Sequence, residues 1–257
     1  MREREAARRG PQATPHGGYG WLDLDLGHGG PEPLPVLRRR LLVAGVVLAL
    51  LGAALTGAVA TAGGLAAVQR LDEQFRELMV SLRWPPLVTV SEVLSLVFST
   101  VVLWPVRAVV TVVIAVRRRW LALAAWASTV VLSELAIGPV KALVDRPRPP
   151  GALIETSAAS YPSGHAIASA VTAIGVVMAL ATGRRRLHWM VGAVCIAAAV
   201  ALSRTYLSAH WVSDVVGGSL IGAGLALAVP EAFEVVRDRR RAATAAVSAA
   251  EAPPRAA

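Results

Sequence analysis

The chain has 257 residues, 55% of them hydrophobic, a mean hydropathy of +0.55 and a formal net charge of +9. Several nearly charge-free stretches reach the roughly 20 residues needed to cross a bilayer, which excludes an ordinary soluble domain. The positive charge does not indicate nucleic acid either, because the arginines cluster beside the apolar runs, where they set membrane topology.

In chain order, residues 1–37 are rich in Gly, Pro and charge and lack periodicity, so a disordered tail is expected. Six spans follow, at about 41–66, 87–116, 120–140, 163–183, 188–207 and 213–234. The first carries Ala58-Val59-Ala60, which resembles a signal cleavage site. The run-up of about 40 residues and the long apolar core argue against removal. The second holds Trp104-Pro105, and a split there would leave eleven residues before Arg117, too few to cross. A single proline-kinked helix is therefore expected. The one cysteine, Cys195, lies in an apolar run; it rules out an intrachain disulfide and is expected to be a small core residue. Residues 242–257 are Ala-rich and contain proline, and are again expected to be disordered. The fold class is all-α: a polytopic bundle of six transmembrane helices over 38–241.

The arginines test this count. They cluster at Arg38 to Arg40, Arg117 to Arg119, Arg184 to Arg186, and Arg237 with Arg239 to Arg241. Six spans with the amino terminus inside put every cluster, and both termini, on the cytoplasmic side. Connections 67–86, 141–162 and 208–212 then share the opposite face. The Ala- and Arg-rich composition suggests a GC-rich bacterial gene, and so a cell membrane.

That face collects the unusual polar residues. Lys141, Arg148 and Arg204 are cations that can converge on one multiply charged anion, guanidinium forks being well matched to phosphate. Interfacial snorkelling is the other reading of Lys141 and Arg148; Arg204 ends an apolar helix, where a charge calls for a function. Pro162-Ser163-Gly164-His165 opens the fourth span. Ser163 can cap that helix, and Gly164 lets a ligand approach the first amides, an arrangement that binds phosphate. Taken alone, the stretch is a helix cap. Beside three cations it reads as a phosphate cradle.

His210 and Asp214 are spaced i, i+4. The carboxylate can hold one imidazole nitrogen protonated and free the other for nucleophilic attack, leaving His165 as a general acid. His165, His210 and Asp214 also form a conceivable metal set, but three nearby cations would repel a divalent ion, so no metal and no other cofactor is expected. Glu134 lies seven residues inward of Lys141 and either supports that lysine or pairs with Arg107 of the second span. Glu92 reads as interfacial.

These residues resemble the signature of the type 2 phosphatidic acid phosphatases, the PAP2 lipid phosphatases, which are related to the vanadium haloperoxidases. The signature is a lysine, six residues and Arg-Pro; then Pro-Ser-Gly-His; then Ser-Arg, five residues, His, three residues and Asp. The chain carries Lys141 to Arg148-Pro149, Pro162 to His165, and Ser203-Arg204 to His210 and Asp214, without departure. The resemblance spans roughly residues 65–234. It implies that His210 forms a phosphohistidine with Asp214 orienting it, that His165 protonates the departing lipid alcohol, and that Lys141, Arg148, Ser163, Gly164 and Arg204 bind phosphate. The implied substrate is a membrane lipid phosphomonoester or diphosphate of the phosphatidate, phosphatidylglycerol phosphate or polyprenyl diphosphate class, hydrolysed without metal at the extracytoplasmic face. A lipid phosphotransferase using the same intermediate is the alternative. A haloperoxidase fits poorly with six spans, and a non-catalytic transporter or scaffold fits poorly with a complete catalytic set.

Overall fold

The computed structural model describes residues 35–156, 159–183 and 185–251, and among these every regular element is a helix. The order is α1 (Pro35–Val59), α2 (Ala62–Ser81), α3 (Pro85–Val97), α4 (Thr100–Val116), α5 (Trp120–Val144), α6 (Gly164–Leu180), α7 (Arg186–Tyr206) and α8 (Val212–Glu251). Helices α1, α5, α7 and α8 are each long and apolar enough to cross a membrane, and α3 with α4 qualifies as a pair bent by 49°. The apolar α6 has only 17 residues. Length and composition thus support four single spans and one bent pair, where six were expected.

Three boundaries differ from expectation. The first apolar run stops at Val59 instead of 66, because Thr61 takes an extended conformation and caps α2 by accepting from the Gly64 amide at 3.2 Å. A side chain at Gly64 would meet the Ala58 carbonyl at 2.2 Å, so the turn demands glycine. The second run bends at Phe98-Ser99 and not at Pro105. Ser99 is the extended residue that restarts the helix, whereas Pro105 lies inside α4, which continues through it. The last helix runs on to Glu251, so the tail expected to be disordered from 242 is helical that far; the amino-terminal tail lies outside the described residues up to 34.

α6 and α8 form the centre. More than half of α6 is buried, with Ile167, Val171 and Ile174 packed among α4, α5, α7 and α8. Helix backbones meet where α8 presents glycine: a Cβ at Gly218 or Gly222 would lie 2.7 Å from the Ser163 or Ile167 carbonyl of α6's first turns. The long α1 lies along α8 through the same device, with Gly45 against Ala228 and Gly224 against Ala49. Small residues at such crossings let helices pack by close van der Waals contact where lipid removes any hydrophobic drive.

Cys195 is exposed on the outer side of α7, not in the core. In a bundle whose surroundings are themselves apolar, hydrophobicity does not mark the inward face. At one end of the bundle the arginine clusters gather. Arg38 pairs with Glu234 and Asp238, each at 3.1 Å, Arg186 lies 3.8 Å from Glu231, and Arg119 is within electrostatic reach of Arg186.

Candidate active site

The site is built at the other end, by α2 and α3, the 145–163 connection and the start of α8. Helix α5 ends at Asp145, which takes the left-handed conformation at φ 39° and bonds back to the Lys141 carbonyl. Two prolines follow in alternation, and the residue before a proline is held extended. In an extended run, residues two apart face the same way. Arg146 and Arg148 therefore both turn inward, and the Ser160 amide bonds the Arg146 carbonyl at 2.8 Å to pin the strap.

Arg148 donates to the Ala209 carbonyl at 2.6 Å, and its Nη1 lies 3.3 Å from His210 Nε2. A guanidinium can only donate, so Nε2 faces it as the acceptor, with the ring proton on Nδ1. His210 Nδ1 in turn looks at Asp214 Oδ2 across 3.5 Å, a separation at the outer limit of a hydrogen bond. Nδ1 is buried without a closer partner. Burial pushes the His210 imidazole down to about 4, against the opposing pull of Asp214. Asp214 is fully buried; its Oδ2 also accepts from Ser160 Oγ and from the Trp211 amide, the latter at 2.8 Å.

The Pro-Ser-Gly-His turn meets α8 head-on. The Ser163 amide donates to the Asp214 carbonyl at 3.1 Å, so the amino-terminal ends of α6 and α8 lie side by side. Ser163 is buried and its Oγ caps α6, accepting from the Ala166 amide at 3.5 Å. A Cβ at Gly164 would meet only Ile137 Cγ2, at 3.7 Å, so packing does not require glycine there. Lys141 Nζ donates to the Ala159 carbonyl, and Lys141, Arg148 and Arg204 lie within electrostatic reach of one another.

All the residues singled out from sequence around the phosphate cradle thus converge. Glu134 is apart from them: its contact is with Arg107, at 2.7 Å, which also donates to Thr172 at 3.0 Å and lies over the Trp104 ring. Of the two partners considered for Glu134, the arginine is the one it bonds. Two residues escaped sequence reasoning. Ser95 of α3 accepts from His165 Nε2 through its carbonyl, at 3.1 Å, and from Arg204 through its hydroxyl. Asp72 of α2 is fully buried against Arg146 and Ser213. Its signal was present in one form: a carboxylate in the 67–86 connection, which the span count puts on the same face as the rest.

Among the described residues, an all-helical bundle with several apolar spans is the build of a multi-pass membrane protein, and it holds a buried His-Asp pair among cations. The family model for the PAP2 superfamily matches residues 120–238. The chain is also similar to a solved structure described as the first transmembrane PAP2 type phosphatidylglycerolphosphate phosphatase from Bacillus subtilis. The two are 27% identical with a TM-score of 0.63, the match covering 75% of this chain and 96% of that one. No curated protein matches the sequence significantly.

Proposed function

We propose that the protein is a membrane lipid phosphatase that hydrolyses a lipid phosphomonoester or diphosphate through a phosphohistidine. The observation that carries this is the environment of His210: an unprotonated Nε2 turned toward Arg148, with Nδ1 facing a buried carboxylate. In the first step Nε2 attacks phosphorus as the bond to the lipid oxygen breaks, and that oxygen takes a proton from His165. Nε2 of His165 donates to the Ser95 carbonyl, so the acid form is the imidazolium, and the proton it transfers is the one on Nδ1. In the second step water attacks the phosphohistidine, His165 Nδ1 accepts the water's proton, and cleavage of the P–N bond frees phosphate.

Lys141, Arg148, Arg204 and the first amides of α6 stabilise the charge on the transferring phosphoryl group. The open space over Gly164 supports such an approach. Three cations do the neutralising that a metal would otherwise do, so the reaction proceeds without one. The same reading takes α6 as a sixth crossing: 17 residues rise about 26 Å, near the lower limit for a span. With the arginine-rich end cytoplasmic, both termini lie inside and the site opens to the extracytoplasmic face.

The test is phosphate release from a panel of phosphatidate, phosphatidylglycerol phosphate and polyprenyl diphosphate in detergent with EDTA present. Release that vanadate inhibits and that His210→Ala abolishes is expected. His165→Ala should lose about 10²- to 10⁴-fold on lipid substrates, the usual worth of a general acid, and distinctly less on p-nitrophenyl phosphate, whose leaving group needs little help. A strict divalent-ion requirement, or full activity in His210→Ala, would defeat the mechanism.

A further inference from the structure

Asp214 does not face His210 as an isolated carboxylate. Its Oδ1 accepts from Arg146 Nη1 at 2.8 Å, and the other arm of the same guanidinium, Nη2, binds Asp72 Oδ2 at 2.6 Å. Ser213 closes the figure: its amide donates to Asp72 Oδ1 at 2.8 Å, its hydroxyl to Asp72 Oδ2 at 2.7 Å, and Arg146 Nη1 reaches its Oγ at 2.7 Å. Gln69, one turn before Asp72 on α2, accepts from Nη2 at 2.8 Å. The side chains of Asp72, Arg146 and Asp214 are at most 1% exposed.

Burying three charges is a poor way to gain stability alone, since desolvation offsets most of the attraction. The arrangement has a different consequence at His210. With Arg146 alone, Asp214 would be one half of a neutral pair. With Asp72 present, two carboxylates share one guanidinium, and the triad keeps a net negative charge beside the imidazole. Both oxygens of Asp214 are also occupied, so its plane is fixed.

We propose that Asp72 and Arg146 are positioning residues for phosphoryl transfer: Arg146 locks the Asp214 carboxylate, and Asp72 preserves its charge toward His210. This rests on the phosphohistidine reading above. It makes α2, which lies outside the 120–238 superfamily match, a working part of the site.

A double-mutant cycle on kcat tests it. Asp72→Asn should lower kcat by about 10- to 100-fold, by analogy with the outer partners of metal-bound histidines, with KM within about threefold. In an Asp214→Asn background the same change should cost less than about threefold, because its route to the histidine is already cut. Arg146→Lys, which keeps a cation but cannot fork to both carboxylates, should show the same pattern. Equal losses in both backgrounds, a change in KM alone, or unchanged kcat would overturn the proposal. So would loss of vanadate binding together with turnover in both variants, which would make the triad only a strut of the fold. A wild-type protein inactive on every lipid phosphate would instead remove the underlying reading.

Discussion

The side chain of His210 is nearly inaccessible, and its low proton affinity follows from that: burial disfavours the imidazolium more than Asp214 favours it. On the proposed mechanism the neutral ring is the nucleophilic form, so activity is expected to persist well into the acid range. The acid limb of kcat/KM, which reports the free enzyme, is expected near pH 4 and not near the ordinary histidine value of about 6.5. The sign follows from the nucleophile: as pH falls through that value Nε2 gains a proton, and the rate falls with it. A pH profile on a soluble phosphate ester checks this, and a limb at the ordinary value would mean that water reaches the ring. At this scale the sequence was informative wherever chemistry is written as short spacing. The i, i+4 pair and the Pro-Ser-Gly-His turn needed no partner to be noticed. Asp72 and Ser95 did, and their partners Arg146 and Arg204 lie 74 and 109 residues away, beyond any local pattern.

Between helices, glycine decides how near two backbones come. A Cβ at Gly224 would sit 2.6 Å from the Ala49 amide nitrogen, so Gly224→Ala must push α1 off α8. Overpacking of that kind costs about 1–3 kcal/mol, read as a lower melting temperature in detergent. Gly192 of α7 has nothing within 4 Å of its would-be Cβ, so Gly192→Ala should be neutral or stabilise by up to about 1 kcal/mol through the unfolded chain. If both substitutions behaved alike, the α1–α8 packing would be wrong. Apolar length was readable in the sequence, and α5 and α7 begin within two residues of where it put them. Breaks were harder, because the expected agent, Pro105, sits where a helix loses a single amide, while the actual bend lies at Ser99, whose extended backbone ends one helix and starts the next without a side-chain cap. The facing of Cys195 was unreadable for the reason that lipid and protein interior are both apolar.

For the whole molecule, the arginine pattern and the site lie at opposite ends, which is the arrangement that the span count required. Topology is then directly measurable. A membrane-impermeant thiol reagent should label a cysteine placed at Ala152 in intact cells, in a background lacking Cys195, and should leave one placed at Arg185 unlabelled. The reverse pattern would turn the site to the cytoplasm and overturn the six-crossing reading. The convergence of the 67–86, 141–162 and 208–212 connections was inferred from hydropathy and charge, and the contacts of Arg146 with Asp72 and of Arg148 with the Ala209 carbonyl join all three.

Among the described residues the first helix, α1, lies along the last, α8. During synthesis α1 enters the bilayer with its glycine seam turned to lipid, and the surface that seam fits does not exist until α8 has been made. His210 and Asp214 arrive in that same final stretch. On the phosphohistidine reading proposed above, completion of the bundle and assembly of the nucleophile are therefore one event. A chain still emerging from the ribosome would then have the cations and the His165 turn but no means of attack, and hydrolysis would begin only once the bundle has shut.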